Sequence, residues 1–154
     1  MKVHLRQIPE GTTLHIEGEE DATPLGLEEA DASPAGPLRY SLDVGLSGGG
    51  LFATGKIAVR ARMQCVGCLG EFESDIVVDP FSLQTELTGS ELIDLTPSAR
   101  EDIHLHLPAH PRCDAGGGPE CPAVRGAAIR AGSPASAPGA TAWDVLDQLK
   151  TKKN

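Results

Sequence analysis

A Cys-x-x-Cys pair, Cys65 and Cys68, stands between two runs that alternate apolar and polar residues. On the near side Ile57, Val59, Ala61 and Met63 share one face while Lys56, Arg60 and Arg62 share the other; on the far side Phe72, Ser74, Ile76 and Val78 keep the same period. Alternation at period two marks half-buried strands, so the cysteines occupy the knuckle of a meander. A two-residue gap lets both thiolates point at one ion. The remaining cysteines, Cys113 and Cys121, lie downstream in a Gly/Pro-rich stretch. Four thiols in two clusters make one tetrahedral Zn²⁺ site through Cys65, Cys68, Cys113 and Cys121 the leading expectation. Reduced structural thiols are the alternative, because Cys113-x7-Cys121 is far looser than the second half of a zinc ribbon. Thioredoxin-type chemistry fits poorly, since no helix N-terminus follows the first pair to lower a thiol pKa.

The rest of the chain supplies partners for this knuckle. Val3 and Leu5, then Leu14 and Ile16, predict two opening strands separated by a turn at Pro9 to Gly11, with Lys2, His4 and Arg6 sharing the polar face of the first. Seven acids and no base between Glu17 and Asp31 read as a solvated connector. Tyr40, Leu42, Val44 and Leu46 predict a third strand, and the glycines 48–50 a turn into a fourth running from Leu51 to Met63. The strand that leaves the knuckle is expected to stop at Pro80. Leu95, Ala99, Ile103 and Leu107 recur every fourth residue and predict a helix of about three turns, with Thr96 as N-cap, Pro97 at the first helical position and Pro108 ending it.

The fold class expected is therefore α+β: a twisted antiparallel sheet, with barrel-like closure as an option, covered by one helix. Residues 1–109 form the domain proper. In residues 110–140, nineteen of 31 are Gly, Ala or Pro, too little apolar bulk to offset ordering entropy except near a metal anchor. Residues 141–154 read as a short amphipathic helix with Trp143, Leu146 and Leu149 on one face.

Charge narrows the partners. A net charge of −9 repels polyanions over most of the surface and favours a basic protein partner. Lys56, Arg60 and Arg62, extended by Lys2 and Arg6 if that strand adjoins, form the one basic stripe available for RNA contact; a solvated face is the plainer reading. His104 and His106 point about 200° apart on a helix and cannot share an ion, while Pro108 separates His106 from His110. No nucleophile–base pair or phosphate loop emerges, which points away from an enzyme. The N-terminus lacks the apolar core of a signal peptide and no stretch is long enough for a membrane span, so the expected location is the cytoplasm, where paired cysteines hold metal more often than disulfides.

The order of these features resembles the YceD/DUF177 family: the Cys65-Val-Gly-Cys68-Leu69 knuckle, Ile93-Asp94-Leu95 leading into a helix that ends at Leu107-Pro108, then Cys113, Cys121-Pro122 and a Trp143-Asp-Val-Leu146 tail. The likeness runs from about Ile57 to Leu149. Relatives often carry four cysteines in the later cluster where this chain has two, which leaves four in total, enough for one zinc. The resemblance implies a non-enzymatic role in accumulation of large-subunit (23S) rRNA and ribosome assembly; the expected partners are that rRNA or its precursor, a basic ribosomal protein, or both. An acidic adaptor that grips a basic ribosomal protein without touching RNA is the alternative.

Overall fold

The computed structural model describes residues 1–9, 11–87, 89–115 and 118–123. Four strands form an antiparallel meander: β2 (Thr13–Glu20), β3 (Ala32–Ser47), β4 (Gly50–Gln64) and β5 (Glu71–Glu86), in the order β2-β3-β4-β5. A separate two-stranded ladder joins β1 (Lys2–His4) to β6 (Leu92–Asp94), and one helix, α1 (Thr96–His106), follows directly. The architecture is α+β as expected. The meander is open, with β2 and β5 as its edges, so the barrel-like option is not found among the described residues.

The apolar face read on β4 is the centre of the core: Ile57, Val59, Ala61 and Met63 are all buried. Leu42 and Val44 of β3 and Ile76, Val78 and Phe81 of β5 extend that layer, and α1 packs on β5 through the same face as Leu95, Ala99 and Ile103. The periodicity of the helix is thus explained by burial of one stripe.

Several local expectations are overturned. The acidic run is no connector: Glu17 to Glu20 belong to β2, and two 3₁₀ turns, Thr23–Leu25 and Leu27–Ala30, bury Leu25 and Leu27 completely. Two leucines among many acids carry no period, so only the tertiary contact reveals them. The helix in turn is tied to this segment, with Arg100 donating to Glu29 and the His104 ring nitrogen bonded to the Leu25 carbonyl at 2.8 Å. Thr96 is not the N-cap; Leu95 holds that position, and the Asp94 carboxylate accepts from the Thr96 N–H at 2.9 Å, taking over the cap's role. Arg6 lies in a 3₁₀ turn beyond β1, and β1 pairs with β6, so neither Lys2 nor Arg6 adjoins the β4 stripe.

Pro80 does not stop β5. The strand runs on to Glu86 because it is a sheet edge and because Asp79 and Pro80 together stand opposite the single residue Lys56, a bulge that takes proline out of the ladder. Beside this bulge Gly55 has φ +151°, and a Cβ there would lie 2.2 Å from the Ser41 carbonyl oxygen, so the β3–β4 contact requires glycine. The expected 141–154 helix lies outside the described residues.

Docking of α1 gives the first prediction. Ile103→Ala, at a fully buried site, should lower unfolding free energy by about 2–5 kcal/mol, whereas Leu105→Ala, at a site 76% exposed, should stay within about 0.5 kcal/mol. Urea titration of both variants checks the contrast; equal effects would mean that the stripe is not what holds the helix.

Candidate metal centre

The β4–β5 hairpin delivers the first cysteine pair. In the knuckle the Cys65 N–H donates to the Gly70 carbonyl and the Leu69 N–H to the Cys65 carbonyl, both at 2.9 Å, and Leu69 takes φ +61° to close the turn. The Gln64 amide also donates to the Leu69 carbonyl, at 3.1 Å. Gly67 leaves room for the second pair: a Cβ there would meet Cys121 Sγ at 3.4 Å and Cys65 Sγ at 3.8 Å.

The second pair arrives from the segment after α1. The Val66 N–H donates to the Pro111 carbonyl at 2.9 Å, which lays the start of this segment against the knuckle across the expected boundary near residue 109. Arg112 and Asp114 form a two-pronged ion pair at 2.9 and 2.8 Å beside it. The result is convergence of all four cysteines, with every sulfur within 4.8 Å of every other.

The distances discriminate between a disulfide and a metal cage. Cys65 Sγ lies 3.8 Å from Cys121 Sγ, and Cys68 Sγ 3.7 Å from Cys113 Sγ. A disulfide needs about 2.05 Å, so the thiols are free. Metal–sulfur bonds of about 2.3 Å in a regular tetrahedron place sulfurs about 3.8 Å apart, which is the spacing seen across both pairs. Four thiols fill a tetrahedron completely, so the donor set fits a closed, structural site with no position left for a substrate.

The electrostatics of the cluster favour a cation. Backbone N–H groups of Cys68 and then Cys113 stabilise the Cys65 thiolate and lower its pKa to about 6. Burial, followed by hydrogen bonds with the neighbouring thiols, pushes Cys113 up to about 12. One thiolate in the cluster therefore holds the proton on its neighbour, and a bound cation reverses that penalty by attracting every sulfur.

The sheet's solvent face carries the other candidates. Lys56, Arg60 and Arg62 do lie together on β4, as read, but each meets a carboxylate of β5: Lys56 with Asp79 at 3.5 Å, Arg60 with Asp75 at 2.8 and 3.0 Å, and Arg62 with Glu73 at 2.9 Å. The hydrogen bond and charge of Asp75 raise the Arg60 pKa, and Glu73 does the same for Arg62. Sequence reasoning saw the cations and left out their partners. The hairpin register around the six residues between Gln64 and Glu71 would have exposed the pairing. Of the histidines, His104 and His106 each bond a backbone carbonyl, of Leu25 and Asp102.

No family model, curated protein or solved structure matches this chain. What the fold and site define is an α+β protein, mostly antiparallel sheet, whose four cysteines form a cluster compatible with a bound metal ion.

The cluster predicts an order of thiol reactivity. In chelator-treated protein, iodoacetamide should label the half-buried Cys68 before Cys113, whose raised pKa keeps it a thiol, and before the buried Cys121, and restoring metal should protect all four. Peptide mapping by mass spectrometry reads the order; labelling that is uniform and indifferent to metal would contradict a shared site.

Proposed function

We propose that this protein is a non-enzymatic assembly factor of the cytoplasm that supports accumulation of large-subunit (23S) rRNA, that its four cysteines hold one structural Zn²⁺, and that it works by engaging a basic ribosomal protein. The ribosomal role is supported by the order of the knuckle, the Ile93-Asp94-Leu95 entry to the helix and the Cys121-Pro122 step, which resembles the YceD/DUF177 family. Zinc is supported by the all-thiol donor set, which this ion accepts without redox demands. When bound, it would contribute cross-linking: Cys65 and Cys68 on the hairpin joined to Cys113 and Cys121 beyond the helix.

The observation that carries the choice of partner is the pairing of Lys56, Arg60 and Arg62 with β5 carboxylates. A phosphate approaching this face must displace carboxylates already bonded to the cations, and the remainder of a chain of net −9 repels it. A basic protein meets the same ion pairs but the favourable sign of the net charge. Direct RNA contact through the stripe is therefore the weaker of the two readings. Among the described residues no helix is long and apolar enough to cross a membrane.

Loss of the protein should lower 23S relative to 16S rRNA without changing transcription of their common precursor, and Cys65→Ser/Cys68→Ser should reproduce that loss. Purified protein should carry about one zinc per chain. Replacing Lys56, Arg60 and Arg62 together by Gln should leave capture of a basic ribosomal protein intact. A deletion strain with a normal rRNA ratio across temperatures would remove the ribosomal role, and RNA affinity that collapses in the triple variant, with a shallower salt dependence, would replace protein contact by RNA contact.

A further inference from the structure

Among the described residues β5 is an edge strand, and the outward half of its first stretch has no neighbouring strand. The Cys65 N–H bonds the Gly70 carbonyl, which makes this a hydrogen-bonded pair in the β4–β5 register. Such pairs alternate with non-bonded ones along an antiparallel ladder, so Phe72 and Ser74 turn their backbone groups toward β4 while Glu71, Glu73 and Asp75 turn theirs outward. Among the described residues no strand lies beyond them. A cleft of about 880 Å³ opens along this edge, lined by residues 71–75 on one side and by Ala115, Pro119 and Pro122 of the cysteine-bearing segment on the other.

The side chains specify what fits. Across the solvent face, charged residues on adjacent strands meet opposite charges, Glu19 with Arg39, Arg60 with Asp75, Arg62 with Glu73 and Lys56 with Asp79, and the His15 ring hydrogen-bonds Asp43. In the outermost row Glu73 and Asp75 share their charge with Arg62 and Arg60, while Glu71 has no ion pair among the described residues, so the free charge at this edge calls for a cation on the next strand. On the opposite face Phe72 is half-buried, and with Pro119 and Pro122 it offers an apolar wall. A second copy of this chain does not fit, because joining two such edges sets carboxylates against carboxylates.

From these features we infer that residues 71–75 of β5 are a docking edge for an extended basic segment of a partner protein, which adds as a further strand with alternate side chains cationic and apolar. Backbone bonds to Glu71, Glu73 and Asp75 supply affinity, and the acidic row selects the partner. The inference rests on the proposed engagement of a basic protein and names the surface that performs it.

The test uses the full-length, zinc-loaded chain and a fluorescent seven-residue peptide alternating lysine and valine. Wild type should bind it in a salt-sensitive manner; Glu71→Gln/Glu73→Gln should weaken binding roughly three- to tenfold. Glu73→Pro removes an outward N–H and spares the β4 ladder, so it should weaken binding roughly tenfold beyond Glu73→Gln. A peptide N-methylated at alternate residues should fail to bind, and this arm decides the matter if Glu73→Pro lowers metal content or helix signal. Absence of binding to wild type, equal affinity for the N-methylated peptide, or equal affinity of Glu73→Pro and Glu73→Gln would overturn the inference. Native purification separates the two levels. A basic ribosomal protein retained by both wild type and Glu73→Pro removes the edge and keeps the function; peptide binding at the edge with no such protein retained does the reverse.

Discussion

Burial of one face of β4 is the constraint on which the remaining structure depends. Ile57, Val59, Ala61 and Met63 go inward together, so a shift of register by one residue would turn the whole set toward water. That cost locks β4 against β3 on one side and β5 on the other. The same lock sets Arg60 opposite Asp75 and Arg62 opposite Glu73, and it places Cys65 where the ladder ends. Core packing, surface ion pairing and the first half of the cysteine cluster are consequences of a single alternation.

The cysteine cluster solves a different problem. Aromatic residues make up only 3% of the chain, and the segment after α1 is dominated by Gly, Ala and Pro, so apolar contact alone holds it weakly. Convergence of Cys113 and Cys121 on Cys65 and Cys68 fastens residues 111–115 and 118–123 to the hairpin, helped by the Val66–Pro111 hydrogen bond. A metal bound by the four sulfurs would close this loop and remove much of the freedom of the unfolded chain.

Electrostatics gives the surface its selectivity more than its stability. The five cross-strand pairs are largely exposed, and such pairs contribute little each to folding. They cancel cation and carboxylate alike, while the chain as a whole remains acidic and Glu71, at the start of β5, carries no ion pair among the described residues. A net charge of this sign opposes the approach of polyanions, and an acidic edge discourages edge-to-edge pairing of identical copies.

Much of this was legible in the residues. The β4 alternation, the helix stripe of Leu95, Ala99 and Ile103, and the four cysteines as one candidate cluster follow from local period and spacing, because burial of one face imposes that pattern on the sequence itself. Other features were decided only in three dimensions. Leu25 and Leu27 reach the core from 3₁₀ turns that leave no period, β5 passes Pro80 because an edge and a bulge excuse the missing N–H, and β1 finds β6 across some ninety residues. The pairing of each β4 cation with a β5 acid, and the approach of Cys113 and Cys121 to within bonding range of one ion, likewise depend on register and chain path. Local sequence determines which faces must be buried; only the folded chain determines which of them meet.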